Sequence, residues 1–188
     1  MLPAFCGALV GGFFTILGGW FSHCWQQQSL ERKERKTFRN VLRALKLEFE
    51  EFWVSYKKSL ELIETRSQDQ KNETVQLIKQ EHFTVYNSNV SIFSRLQDEE
   101  LQRLIIRTHM AFCALLDKIE GKNITINKTD EYFQMYINSK EEVYRLAVEL
   151  MKKGLEKQSS ALEETHEEID RLMNALIPKL NETIQSLK

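Results

Sequence analysis

Residues 2–25 read LPAFCGALVGGFFTILGGWFSHCW, and the organisation of the whole chain follows from that stretch. Pro3 to Ser22 are 20 uncharged, mostly apolar residues, and no Asp, Glu, Lys or Arg precedes Glu31. As a helix this run is about 30 Å long, the thickness of a hydrocarbon core. Trp20 and Trp25 stand at its C-terminal end, where interfacial aromatics belong. A cleaved signal peptide is the rival reading. It expects a basic start and a small-x-small cleavage site, whereas this run starts without Lys or Arg and ends in bulky residues. The expectation is a retained single transmembrane helix.

Placed about 100° apart, Ala4, Gly7, Ala8, Gly11, Gly12, Thr15, Gly18, Gly19 and Ser22 share an arc of about 140°. The large residues, Phe5, Leu9, Phe13, Ile16 and Trp20 among them, take the remainder. Ala4, Ala8, Gly11, Thr15, Gly18 and Ser22 alternate steps of four and three, as in a coiled-coil seam. In lipid, small faces let helix backbones approach and pack, which a lone anchor does not need. These six positions are therefore the expected helix interface of a homo-oligomer, or the lining of a pore. Tight small-face packing gives a closed bundle as readily as a conducting path.

The flank on the C-terminal side is basic: Arg32, Lys33, Arg35, Lys36, Arg39, Arg43 and Lys46. By the positive-inside rule the N-terminus lies outside and the long remainder in the cytoplasm. The five Asn-x-Ser/Thr sequons carry no weight in that orientation. Arg32, Lys33, Arg35 and Lys36 are read as contacts for anionic lipid headgroups, with a charged pore mouth or a polyanion site as alternatives. The overall net charge of −1 argues against a dedicated nucleic-acid protein with one strongly basic face.

Beyond the flank, Phe38, Val41, Leu42, Leu45, Phe49, Phe52, Trp53, Tyr56, Leu60 and Ile63 recur at steps of three and four. No Gly or Pro separates this amphipathic helix from the span, so one rod from about Pro3 to Arg66 is expected. Only Pro3 and Pro178 occur in 188 residues, and five of the seven glycines fall in the first 19. So few breakers favour an all-α chain. The division expected is a transmembrane helix over 1–25, a juxtamembrane amphipathic helix over 26–66 and a cytoplasmic helical bundle over 67–188. Within the last part, 67–80 is polar and 82–89 forms a bend. Asp98 caps a helix that Gly121 ends, and a loop spans Lys122 to Lys128. A further helix turns Phe133, Tyr136, Ile137, Val143, Leu146, Leu150 and Leu155 inward, with Gly154 interrupting it. The last helix carries Leu162 to Leu187, and Pro178 kinks or breaks it.

No catalytic constellation emerges. Cys6, Cys24 and Cys113 match no metal-ligand spacing, and the four histidines form no ligand pair. There is no phosphate-binding glycine loop and no nucleophile elbow. The reading is a non-enzyme without cofactor or metal, with His166 exposed on an acidic helix. Arg103 and Arg107 share a helix face. With Arg95, and with Tyr86 and Asn87 on the preceding bend, they would grip a phosphate and stack a base. The reading preferred over such a site is an ordinary solvated face paired with neighbouring glutamates.

Phe83 to Asn89 (FTVYNSN), Leu96 to Leu101 (LQDEEL), Ile105-Ile106 and Ala114 to Asp117 (ALLD) resemble short single-span bacterial membrane proteins of prophage and anti-phage loci. The layout is similar to that of the membrane effectors of the Hailong defence system. The resemblance implies an oligomeric ion channel gated through its cytoplasmic helices. Its controlling ligand would be a nucleotide or oligonucleotide signal made by a partner nucleotidyltransferase. A non-conducting, membrane-anchored interaction or phage-exclusion module remains the alternative.

Overall fold

The computed structural model describes the backbone of residues 2–64 and 83–187, with side chains from Gly18 onward except Cys24 and 62–64. The described residues form helices and turns, with no strand among them: α1 (Leu2–Glu64), α2 (Thr84–Ser88), α3 (Val90–Phe93), α4 (Glu99–Ser139) and α5 (Glu142–Ser186). The fold is all-α. The expected rod exists as one unbroken helix of 63 residues. The polar stretch 67–80 lies outside the described residues. Among the described residues no helix is long and apolar enough to cross a membrane. Of the run Pro3–Ser22, side chains are described only from Gly18.

The core is a three-helix layer. Leu42, Leu45, Phe49, Trp53 and Tyr56 of α1 are buried in it, as their spacing required. They meet Leu101, Ile105, Phe112, Leu115 and Ile119 of α4, and Ile169, Leu172, Met173, Leu176, Leu180 and Ile184 of α5. Phe112 is the hub. Its ring centroid lies 5.4 Å from Phe49, 4.8 Å from Phe52, 6.0 Å from Trp53 and 5.4 Å from Phe83. The burial pattern sets the directions. Upstream of Trp53, α1 buries Leu42 and Leu45; upstream of Phe112, α4 buries Leu101 and Ile105. Helix α1 therefore runs parallel to α4 and antiparallel to α5. The free start of α1 and the α4–α5 turn lie at opposite ends of the core.

Three expectations fail in the α4–α5 region. Gly121 does not end a helix, and Lys122 to Lys128 is not a loop: α4 continues to Ser139. A mid-helix glycine costs about 1 kcal/mol relative to Ala. Pairing with α5 along the whole length outweighs it, and Thr125 and Thr129 donate back to the carbonyls of Gly121 and Thr125. The break comes instead at Lys140, in the left-handed region with φ 59°, its N–H donating to Tyr136 O at 2.8 Å. Helix α5 then runs through both Gly154 and Pro178. Pro178 is exposed, so its ring displaces no core contact. Finally, Phe133, Ile137, Val143, Leu146 and Leu150 are exposed rather than inward, because among the described residues this stretch of α4 and α5 has only the other helix to bury against.

Asp98 caps α4 as expected, its Oδ1 accepting from the Leu101 N–H at 3.0 Å. The expected bend at 82–89, described from Phe83 onward, contains the short helix α2, and α3 follows it from Val90. Phe83, at φ 65°, turns the chain into α2.

Candidate functional site

Residues 18–37 of α1 stand free of the core among the described side chains. From Gly18 to Thr37 every described side chain is exposed, including Trp20, Phe21, Leu30 and Trp25, the last 76 % exposed. At 1.5 Å per residue, positions 2–37 extend about 54 Å. Nothing lies within 4 Å of a side chain built at Gly18 or Gly19. Of the expected interface, Gly18 and Ser22 are thus open to a partner, whereas Ala4, Ala8, Gly11 and Thr15 lie outside the described side chains. Arg32, Lys33, Arg35 and Lys36 are all exposed and follow the three aromatics by two to four turns of helix. Exposed aromatics followed by a net-positive stretch, four cations against Glu31 and Glu34, form an amphipathic collar suited to a lipid–water boundary.

The Phe83–Asn89 turn is held on α1 by one carboxylate. Glu48 accepts from the Val85 N–H at 2.7 Å, the Tyr86 N–H at 3.1 Å and the Thr84 hydroxyl at 3.4 Å. This occupies the first free amides of α2 with a negative charge. The Tyr86 ring lies flat on His109, centroids 3.7 Å apart and planes 11° apart, and His109 Nε2 is 3.7 Å from Cys113 Sγ. Burial lowers the His109 pKa, and Glu48 partly offsets this. Burial also raises the Cys113 and Tyr86 pKa values, with the Asp117 charge adding to the effect at Cys113.

The residues expected to hold a phosphorylated ligand are not brought to one place. Tyr86 already stacks on His109, whereas Asn87, Arg95 and Arg103 are exposed. Arg107 reaches Glu168 on α5 at 3.6 Å. It precedes His109 by two residues, about 200° around α4, so Arg103 and Arg107 face away from the Tyr86 ring.

A second polar contact fastens α1 to α5, and sequence reasoning missed it. Asp170 accepts from Trp53 Nε1 at 3.0 Å and Lys57 Nζ at 2.7 Å, and His166 lies 3.4 Å away. His166 is not a free surface group as expected: its ring packs 4.7 Å from Trp53 and 5.8 Å from Tyr56. Partial burial works to raise the Asp170 pKa. The Lys57 and Trp53 hydrogen bonds, with the Lys57 and His166 charges, outweigh it and hold the carboxyl below the usual carboxylate range. Burial pushes the Tyr56 phenol up to about 12. The available signal was Trp53 and Lys57 at i, i+4, opposite an i, i+4 His–Asp pair.

Among the described residues no three His, Cys, Asp or Glu side chains converge as a metal site. No protein-family model matches the chain, and no curated protein and no solved structure matches it.

Proposed function

We propose that this chain is a single-pass protein of the bacterial inner membrane, N-terminus outside and C-terminus in the cytoplasm. Copies associate through Ala4, Ala8, Gly11, Thr15, Gly18 and Ser22 into an effector of anti-phage defence that opens an ion path. One observation carries the reading. Helix α1 is continuous from the uncharged run into the core, where Leu42 to Tyr56 are clamped by α4 and α5. A change in how the core grips α1 is therefore transmitted along a stiff helix to the membrane. Opening would dissipate the membrane potential. The proposed controlling signal is a nucleotide or oligonucleotide from a partner nucleotidyltransferase, a ligand class that comes from the resemblance alone.

The experiment is ion flux in liposomes reconstituted with the purified chain. Conductance should appear and should change with Thr15→Leu or Ser22→Leu, since these side chains can hydrate an ion on the small face. Charge reversal at Arg32 and Lys33 should alter selectivity more than assembly. An intact oligomer that passes no current where the protein is toxic or protective in cells refutes conduction. The second reading, a non-conducting anchored interaction module, then replaces it. The scarcity of polar positions on the stripe (Thr15, Ser22 and the adjacent His23) favours that reading.

A further inference from the structure

The far end of the molecule exposes apolar surface that no other described residue covers. Past the last core residue of α1, helices α4 and α5 continue as a two-helix hairpin. Thr129 and Val148 are its buried positions, and Tyr132 packs on Tyr144 with centroids 6.3 Å apart. Those positions define the inner seam. Relative to it, Phe133 and Ile137, one turn apart, lie to one side of α4, each more than 40 % exposed. On α5, Val143 and Leu150 lie two turns apart, with Leu150 70 % exposed. Because the two helices are antiparallel, the Val143–Leu150 stripe falls on the opposite face of the hairpin from Phe133 and Ile137, at the same height along it. Unspent charges follow the same division. Asp130 continues the α4 stripe, Lys153 and Lys157 continue the α5 stripe, and none of the three makes an ion pair among the described residues.

We infer that the hairpin is a second assembly element, in which the α4 stripe of one copy packs on the α5 stripe of the next. Two complementary patches on opposite faces make a heterologous contact, which closes into a ring when the rotation permits. The contact aligns Phe133 and Ile137 with the neighbour's Val143 and Leu150, and Asp130 with the neighbour's Lys153. The inference rests on the proposed membrane anchoring in one respect: copies standing side by side in a bilayer are parallel, which brings equal heights together. It assigns the occupant of the face to a second copy of this chain.

The test uses the full chain in detergent or nanodiscs, with Cys6, Cys24 and Cys113 replaced by Ser. Two single variants, Ile137→Cys and Val143→Cys, are prepared separately, mixed and oxidised. Disulfide-linked dimers should form in the mixture and be at least about tenfold scarcer in either variant alone, because a heterologous contact pairs unlike stripes. Linked dimers of equal yield in one variant alone would overturn the inference in favour of a two-fold contact. No linkage in the mixture would overturn it outright. Leu150→Glu, at an exposed position that no core residue needs, should shift native mass toward smaller species. An unchanged mass distribution counts against the inference. The two proposals separate cleanly: Gly18→Leu reports on the α1 interface, and the mixed-cysteine yield reports on the hairpin alone.

Discussion

Replacing Phe112 by Ala should loosen α1 from the cytoplasmic helices without dissolving the α4–α5 hairpin. Phe112 is 0 % exposed and touches four other aromatic rings, three of them on α1. Removing a buried Phe costs about 3–5 kcal/mol, from lost transfer free energy and the residual cavity. The edge-to-face pairs with Phe49 and Phe52, each contributing about 0.5–1.5 kcal/mol, place this site toward the upper end. For a chain of this size, each kcal/mol lowers the midpoint by about 2–4 °C, so the expected fall is about 6–20 °C. Thermal unfolding of the detergent-solubilised chain measures it. Hydrogen exchange locates it: amides of 38–60 and 83–96 should lose protection, and those of 124–139 and 143–158 should keep it. If α1 is the transmitting element, the same variant should also change liposome conductance with the oligomer intact. A midpoint within about 2 °C of wild type would refute the assignment of Phe112 as the hub of the α1 contact.

Glu48→Ala should cost about 1–3 kcal/mol, because the Val85 and Tyr86 amides lose their acceptor; urea unfolding measures the loss, and exchange at 84–89 should rise most. Stability should fall on acidification in two stages. The folded-state His109 pKa lies below its usual 6.5, so the unfolded chain takes the proton first and stability drops as pH falls below about 6.5 through the lowered value. The Asp170 contribution is present above the ordinary 3.8 and disappears as pH falls through its lowered folded value. His109→Gln should flatten the first stage alone, and stability rising between pH 7 and 5 in the wild type would reverse the expected sign. Gly11→Leu or Gly18→Leu should split the oligomer by separating backbones, whereas Phe13→Leu should not; native mass or crosslinking in detergent decides.

Apolar spacing alone located the core side of α1 and the last half of α5. In each, apolar residues three and four apart leave one face that water disfavours, whatever packs on it. The absence of Gly and Pro between Trp20 and Gly121 likewise made the continuity of α1 legible. The exits from helix were not legible in the same way. Gly121 and Gly154 are breakers in an isolated helix, but α4 and α5 stabilise each other along their paired length by more than the glycines cost. The real turn, at Lys140 and Glu141, contains no Gly or Pro; its only local signal is Ser139, whose Oγ accepts from the Glu141 N–H at 3.2 Å. The exposed apolar stripes at 133–137 and 143–150 look like core in sequence, and they are surface because no other described helix packs on that length of α4 and α5. Nothing in local spacing pairs Tyr86 with His109, yet the two rings stack, because the docking of the 83–89 turn brings together residues 23 positions apart. Local spacing determines which face of a helix must be covered. What covers it depends on where distant helices end, and that is decided only when they pack.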